Sequence, residues 1–343
     1  MKAVVYSEFK GRLRIQDVPE PATPANGVLI QVKATGLCRS DWHGWQGHDA
    51  DISLPHVPGH EFSGIVSNVG AKVTKWKSGD RVTVPFVCGC GSCPQCATGN
   101  QQICDNQSQP GFTHWGSFSE FVSVYHADEN LVKLPDDMSF GAAATLGCRY
   151  ITSYRALVDQ GKVKSEDWVA IHGVGGIGLS AIQIAKAKGA YVIATDIVQE
   201  KLEFAKDLGA DYVLNAETSD TGKEIQTICG GAHISMDALG SIETCKQSIA
   251  SLRKHGKHIQ VGLMAGKDEN PTIAMDKVIA YELQLIGSHG MQAHRYPEIF
   301  EMILEGKLHP EHLVKSKISL EDIPQRLSKI DDGQYIGITV ALL

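Results

Sequence analysis

A glycine-rich turn between a predicted buried strand and a predicted helix constrains this chain's fold more than any other sequence feature. The turn reads Gly173-Val174-Gly175-Gly176-Ile177-Gly178, a G-x-G-x-x-G pattern, and it directly follows the apolar run WVAIH. The first glycine allows the tight turn, the second lets the backbone approach a pyrophosphate, and the third brings helix and strand together. The helix N-terminus then offers free N–H groups to the phosphates.

The next predicted strand, YVIATD, ends at Asp196, where a carboxylate accepts hydrogen bonds from the ribose hydroxyls of an adenosine. The same carboxylate would repel the 2′-phosphate of NADP, and Ile197 and Val198 follow it in place of an arginine. The sequence therefore favours NAD over NADP. A glycine-rich turn in another α/β fold is the alternative that this motif alone leaves open.

The character of the sequence changes near residue 150. Residues 1–149 read as short strands between Gly, Pro and Asp turns, whereas residues 150–287 alternate strands with helices. Such alternation predicts a doubly wound domain with a parallel sheet covered on both faces. Residues 288–343 contain one helix and a final strand, and we expect them to pack on the first part. The predicted fold class is α/β, with domains 1–149 plus 288–343 and 150–287.

Composition excludes several classes of function. The chain has 343 residues and a net charge of −7, with no basic run that would bind nucleic acid or an anionic membrane surface. Its length favours two domains. The start, MKAVVYSEFKGRLRI, alternates like a strand and lacks the apolar core of a signal peptide, so we expect none, and no apolar stretch in the sequence is long enough to span a bilayer. We therefore expect a cytoplasmic protein.

The cysteines point to metal ligation. There are nine, an odd number, and Cys90, Cys93, Cys96 and Cys104 follow the pattern C-x2-C-x2-C-x7-C. Four thiolates on a short loop can close a tetrahedral zinc shell, whose role would be structural because no coordination position stays open. An iron–sulfur cluster and a zinc-ribbon module are the alternatives. Cys88 is interpreted as a free thiol outside the set.

Three further candidates are too far apart for spacing to join them. Cys38 lies in GLCRSDW, His60 in PGHEFSG and Cys148 in TLGCRYI. On the residues alone, each packs or forms hydrogen bonds more readily than it binds a metal.

The segment GHEFSGIVSNVGAKVTKWKSGDRV resembles the zinc signature of alcohol dehydrogenases of the medium-chain dehydrogenase/reductase superfamily. The cysteine lobe, the glycine-rich turn and the domain order follow the same plan, so the resemblance covers essentially the whole chain. It implies a GroES-like catalytic domain, a Rossmann domain, and reversible hydride transfer from a primary alcohol to NAD. An aldehyde reductase using NADPH and a non-catalytic zinc-stabilised binding protein are the other hypotheses.

The resemblance also implies a catalytic zinc held by Cys38, His60 and Cys148, which makes two zinc ions per chain with the four-cysteine site. Three protein ligands leave one position for substrate. Asp41 would bind the second nitrogen of His60, and Glu61 would lie behind the metal. Polyol dehydrogenases of the superfamily usually carry a carboxylate where Cys148 stands, so the alcohol dehydrogenase branch is favoured.

Further roles follow from the same resemblance. Ser40 would take the proton of the alcohol, and His43 would deliver it to solvent because histidine titrates near neutrality. Arg39 is expected at the pyrophosphate and Lys201 at the adenosine ribose. The positions expected to touch nicotinamide are Thr152, Val261 and Leu263.

The substrate pocket is predicted to be lined by Trp45, Phe86 and Trp115, each of which could equally be a core residue. The chain departs from its relatives in the segment 335–339, YIGIT, which lacks a second pyrophosphate arginine. The sequence assigns no role to Arg149. Relatives pair through the last strand of the cofactor domain, and microbial relatives of this length are often tetramers. The resemblance therefore implies a homotetramer, with a homodimer as the alternative.

Overall fold

The computed structural model describes residues 1–330, 333 and 335–343. The chain forms two compact units. The first comprises residues 1–151, 290–305 and 310–343, and the second comprises residues 152–289 and 306–309.

The first unit is built mainly on antiparallel strands. Up to residue 154 the strands are β1 (Lys2–Val5), β2 (Arg14–Asp17), β3 (Val28–Leu37), β4 (Glu61–Val69), β5 (Arg81–Thr83), β6 (Phe121–Val124) and β7 (Val132–Lys133). The helices are short: α1 (Arg39–Trp45), α2 (Pro94–Ala97), α3 (Ala127–Asn130) and α4 (Phe140–Ala144). Helix α5 (Ile151–Tyr154) begins within the first unit at Ile151, and its other residues belong to the second unit. A π-helical turn, Leu146–Tyr150, separates α4 from α5.

Alternation of apolar residues explains the main sheet of this unit. Strand β3 reads VLIQVKATGL, and Val28, Ile30 and Val32 are fully or almost fully buried. Side chains two residues apart lie on one face of a strand, and here that face packs against Phe62 and Val66 of β4. The antiparallel pairing of β3 with β4 therefore fixes where β4 begins, directly after His60.

The second unit contains a six-stranded sheet in which every pair of neighbours is parallel. Its strands are β8 (Trp168–His172), β9 (Tyr191–Asp196), β10 (Tyr212–Asn215), β11 (Ala232–Asp237), β12 (Leu252–Gln260) and β13 (Gln284–Gly287). Its helices are α6 (Gly176–Ala187), α7 (Gln199–Asp207), α8 (Thr221–Cys229), α9 (Ile242–Ala250) and α10 (Met275–Tyr281). The spatial order β10-β9-β8-β11-β12-β13 is that of a doubly wound sheet.

The rest of the chain supplies α11 (Tyr296–Leu304), β14 (Val314–Ile318), α12 (Ile323–Ser328) and β15 (Ile338–Leu342). Strand β15 pairs antiparallel with β3, in a register that puts Thr339 opposite Leu37. A strand-rich sheet and a parallel sheet together confirm the α/β fold class predicted from the sequence. Within the described part of the chain, no helix is both long enough and apolar enough to cross a membrane.

Candidate active site and metal centres

Three elements of the first unit bring Cys38, His60 and Cys148 together. Cys38 follows the last residue of β3, His60 precedes β4, and Cys148 lies in the π-helical turn. Their ligand atoms, together with a carboxylate oxygen of Glu61, lie within 4.8 Å of one another, and all four residues are buried. Residues more than a hundred positions apart thus form one cluster with the composition of a zinc site.

Asp41 orients the imidazole of this cluster. Its Oδ1 lies 2.7 Å from Nδ1 of His60, while its two oxygens also accept the backbone N–H groups of Cys38 and Gly59. Nε2 of His60 is buried without a hydrogen-bond partner among the described residues. A buried polar atom costs free energy unless it is satisfied, and a metal ion would satisfy this one. The residues present therefore fit a zinc ion.

The two thiols of the cluster influence each other strongly. The hydrogen bond to Cys148 holds the pKa of Cys38 well below its usual range, and the same bond raises the pKa of Cys148 well above it. Two adjacent buried thiols cannot both ionise easily, because like charges repel in a low dielectric. A dication bound between them favours the thiolate form of both.

Arg149 has a partner that the sequence did not reveal. Its guanidinium forms a buried ion pair with Glu61, and its backbone N–H also binds Oε1 of Glu61 at 2.9 Å. The two residues are 88 positions apart, so no local pattern in the sequence could have joined them.

The residues predicted to move the proton lie on or beside α1. The hydroxyl of Ser40 lies 3.8 Å from Sγ of Cys38. Nδ1 of His43 lies 2.9 Å from Nδ1 of His48, an exposed histidine that the sequence analysis missed. Because one ring nitrogen must donate and the other accept, the two histidines share one proton. Arg39 is exposed, with its guanidinium 6.0 Å from the centre of the Trp42 ring.

The three predicted pocket aromatics lie in different surroundings. Phe86 packs with Cys38 and Cys148, and its ring centre is 6.1 Å from that of His60. Trp45 and Trp115 pack instead on a neighbouring apolar cluster and donate to backbone carbonyls of Gly11 and Pro55. The sequence analysis missed Phe112, whose ring centre lies 5.2 Å from that of His60.

A second sulfur cluster surrounds α2. The four thiols all lie within 4.8 Å of one another, and the set is Cys90, Cys93, Cys96 and Cys104. Three are buried, and backbone N–H groups point at several of the sulfurs. Such N–H groups stabilise thiolates. Cys88 lies outside the set, and burial raises the pKa of its thiol to about 12.

The glycine-rich turn of the second unit joins β8 to α6, as the sequence predicts. Gly173 has φ +93°, a conformation that glycine adopts without strain. A Cβ at Gly178 would lie 2.0 Å from the carbonyl oxygen of Gly173, so helix and turn approach too closely for any side chain. At Gly175, the N-cap of α6, a Cβ would meet no atom of the described residues within 4 Å. The turn thus has the open side that a phosphate group needs.

Asp196 ends β9 and already binds the turn. Its Oδ2 accepts the N–H of Val174 at 2.9 Å, while Oδ1 accepts those of Ile197 and Val198. A carboxylate has about four acceptor sites, so it retains capacity for a ribose hydroxyl.

The other predicted cofactor residues differ in exposure. Thr152 is buried, and its hydroxyl lacks a hydrogen-bond partner within the part of the chain that the structure describes. Val261 and Lys201 are half-buried, while Leu263 is 50% exposed.

Comparison with known proteins identifies the family. Residues 24–136 match the model of the alcohol dehydrogenase GroES-like domain, and residues 176–305 match that of the zinc-binding dehydrogenases. An alcohol dehydrogenase of Geobacillus stearothermophilus is 35% identical, with 99% of each chain covered. A sorbitol dehydrogenase of Halalkalibacterium halodurans is 31% identical, with 98% of each chain covered.

Solved structures agree. The alcohol dehydrogenase of Aeropyrum pernix superimposes with a TM-score of 0.91 at 31% identity, and the whole of both chains is covered. The resemblance inferred from the sequence is confirmed, and the chain belongs to the zinc-dependent alcohol dehydrogenases of the medium-chain dehydrogenase/reductase superfamily.

Proposed function

We propose that this protein oxidises primary alcohols to aldehydes reversibly, with NAD as hydride acceptor and a catalytic zinc held by Cys38, His60 and Cys148. The observation that carries the proposal is the buried cluster of three ligand atoms whose imidazole is oriented by Asp41. Three ligands suit a catalytic zinc, because they leave a position for substrate. When bound, zinc acts as a Lewis acid that makes the alcohol hydroxyl more acidic, and NAD accepts the hydride.

The chain's own residues would hold the imidazole and move the proton. Asp41 keeps Nδ1 of His60 occupied, so that Nε2 presents its lone pair to the metal. Ser40 would accept the hydroxyl proton, and His43 would release it to solvent. The hydrogen bond between His43 and the exposed His48 supports this route, because imidazoles exchange protons with water near neutral pH.

NAD is favoured by the carboxylate that ends β9. Asp196 retains acceptor capacity for a ribose hydroxyl, and its negative charge opposes a 2′-phosphate. We assign the phosphates to the open turn at Gly175, and Thr152, with its unsatisfied buried hydroxyl, to a contact with the cofactor.

The substrate class is inferred from two features. Phe86 and Phe112 place aromatic rings within 6.1 Å and 5.2 Å of the His60 ring, which suits the apolar part of an alcohol. A thiolate at position 148, where polyol dehydrogenases carry a carboxylate, favours simple alcohols over polyols.

We further propose a structural zinc at the four-cysteine cluster, an oligomer that is a dimer or tetramer, and a cytoplasmic location. All nine cysteines are free thiols, which suits a reducing compartment.

One experiment tests the catalytic proposal. Zinc-replete protein is assayed with ethanol, butanol, benzyl alcohol and sorbitol, each with NAD and with NADP, beside the variants Cys38→Ser and Cys229→Ser. We expect activity with the simple alcohols and NAD. Cys38→Ser should lose one of two zinc ions and nearly all activity. Cys229 lies outside both clusters, so Cys229→Ser should keep two zinc ions and the activity of the parent protein. The absence of activity with every alcohol, or activity with sorbitol alone, would refute the proposal.

A further inference from the structure

Arg149 forms a buried ion pair with Glu61 immediately beside the proposed catalytic ligands. Arg149 is 6% exposed, and Glu61 is fully buried. The backbone N–H and Nε of Arg149 each lie 2.9 Å from Oε1 of Glu61, and Nη2 contacts Oε2. Nη1 donates to the carbonyl of Leu37 at 2.9 Å, which fixes the guanidinium to the end of β3. One residue therefore occupies both oxygens of the carboxylate in a bidentate arrangement.

Glu61 would otherwise compete for the metal. One of its oxygens lies within 4.8 Å of the ligand atoms of Cys38, His60 and Cys148, so it completes a potential set of four. Carboxylates are ordinary zinc ligands, and a zinc ion with four protein ligands has no position for substrate. The neighbourhood that makes the site catalytic thus contains a side chain able to block it.

Charge explains why the guanidinium is needed. Two thiolates balance the charge of a zinc ion, so Glu61 would add an uncompensated negative charge in a buried place. A buried charge is stable only when it is paired. If Arg149 did not supply the opposite charge, the nearest cation for the carboxylate would be the metal.

The neighbouring strand leaves room for the pair. Gly36 in β3 lies opposite Glu61 in the strand register. A Cβ at Gly36 would lie 2.5 Å from Oε2 of Glu61 and 2.8 Å from Nη2 of Arg149. Both distances are shorter than van der Waals contact, so only glycine at position 36 accommodates the pair where it is.

We propose that Arg149 is a positioning residue that holds Glu61 away from the catalytic metal and thereby keeps the fourth coordination position open. The inference rests on the proposed function, since it needs a metal at the Cys38–His60–Cys148 cluster.

Cobalt substitution tests the proposal with a spectroscopic readout. Protein carrying Co²⁺ at this cluster and zinc at the four-cysteine cluster is titrated with imidazole, and the d–d bands report what occupies the fourth position. In Arg149→Ala, we expect the bands to be shifted before imidazole is added. We also expect the affinity for imidazole to fall by at least about tenfold, because the fourth coordination position is then vacant in only a minor fraction of the molecules. The double variant Arg149→Ala/Glu61→Gln should recover both the original bands and the affinity.

A second variant and a control guard against a merely structural effect. Gly36→Ala should displace the pair without removing either charge, and should move the cobalt bands in the same direction as Arg149→Ala. Arg81→Ala removes another arginine of the same unit, one that donates to backbone carbonyls, and should leave the bands unchanged.

The outcomes are distinct. If Arg149→Ala and Gly36→Ala both keep the bands and the imidazole affinity of the parent protein, Arg149 does not hold Glu61 away from the metal. If Glu61→Gln fails to reverse the effect of Arg149→Ala, Glu61 is not the competing ligand. If the parent protein takes up no cobalt at the Cys38–His60–Cys148 cluster, the proposed function fails, and the role proposed for Arg149 fails for the same reason.

Discussion

Asp41 shows how much of this site depends on one carboxylate. It accepts the N–H of Cys38, the N–H of Gly59 and the Nδ1 proton of His60, and it is almost fully buried. Each of these bonds fixes a predicted metal ligand or its immediate neighbour. Burial lowers the pKa of His60, but the negative charge of Asp41 and its hydrogen bond to Nδ1, together with Cys38, raise this pKa well above its ordinary value. Asp41 would therefore act on a bound metal through the geometry of the predicted ligands.

The first prediction concerns this carboxylate. Asp41→Asn keeps the shape of the side chain but removes the charge that fixes the tautomer of His60. We expect the affinity for catalytic zinc to fall by about 10–100-fold, the usual effect of losing such an outer hydrogen bond. Competition with a chelator measures it. Asp128→Asn, at a half-buried position of α3 in the same unit, is the control. Equal zinc affinity in both variants would contradict the role assigned to Asp41.

His172 gives a prediction about pH. It is buried at the end of β8, and burial, with His258 nearby, lowers its pKa to about 3 from the ordinary 6.5. Below pH 6.5, His172 therefore binds a proton in the unfolded chain but stays neutral in the folded chain. Because protonation then favours the unfolded state, the free energy of unfolding decreases as the pH falls towards 3. The cost is about 2 kcal/mol at pH 5, at roughly 1.4 kcal/mol per pH unit.

His172→Leu should remove this part of the acid sensitivity. Urea unfolding of the variant and the parent protein at pH 7 and pH 5 measures the difference. The control is His255→Asn at an exposed position, where asparagine tolerates the φ of +60°. An unchanged loss of stability between the two pH values in His172→Leu would contradict the explanation.

At the scale of elements, the sequence predicted what local pattern determines. The unit β8–α6–β9 follows from an apolar run, three glycines and a terminal Asp196, each of which acts within a few residues. The candidate site was harder to predict from the sequence. Cys38, His60 and Cys148 could be grouped only by family resemblance, because β3, β4 and the π-helical turn meet through tertiary packing. π-Helical turns are rare and often occur at functional sites, and nothing in the string Leu146–Tyr150 announces one.

The pairing of Arg149 with Glu61 shows the same limit. Arg149 was conspicuous in the sequence, but its role depends on which strand ends beside it. The ligand set, the proton route and the cofactor contacts stay predictions until they are tested by the experiments above.

The four-cysteine segment carries the prediction at this scale. Helix α2 has four residues, far fewer than a helix needs to be stable alone, and the only buried apolar cluster there consists of its cysteines. We therefore propose that metal ligation stabilises the segment. We expect Cys93→Ser to lower the melting temperature of the first unit by about 6–12 °C, because that shift corresponds to about 3 kcal/mol in a cooperative unit of roughly 200 residues. Calorimetry with zinc analysis measures both effects.

Cys88→Ala is the matched control, because Cys88 is a buried thiol close in sequence but outside the ligand set. It should keep both zinc ions and lose less stability. A Cys93→Ser protein that keeps two zinc ions and its melting temperature would show that the segment folds without metal.

At the scale of the whole molecule, the chain divides its chemistry between its two units. Every ligand of both predicted zinc sites comes from the first unit, and the glycine-rich turn comes from the second. The second unit also carries a feature that catalysis does not explain. Strand β13 forms one edge of the parallel sheet, and its side chains are mostly exposed, Leu285 among them. On the adjacent α10, Ile279 is 75% exposed and Met275 is 52% exposed.

An exposed strand edge flanked by apolar side chains favours pairing with another strand, and a second copy of this chain would supply one. The double variant Ile279→Glu/Leu285→Lys should therefore reduce the molecular mass in solution, measured by sedimentation velocity, from that of a dimer or tetramer to that of a smaller species. Leu304→Glu changes a leucine of similar exposure, 71%, on α11 of the first unit, and should leave pairing through β13 intact. A charged pair at the edge opposes burial because each charge must lose its water. A parent protein that sediments as a monomer, or a double variant with the parent's mass, would exclude this edge as the contact between subunits.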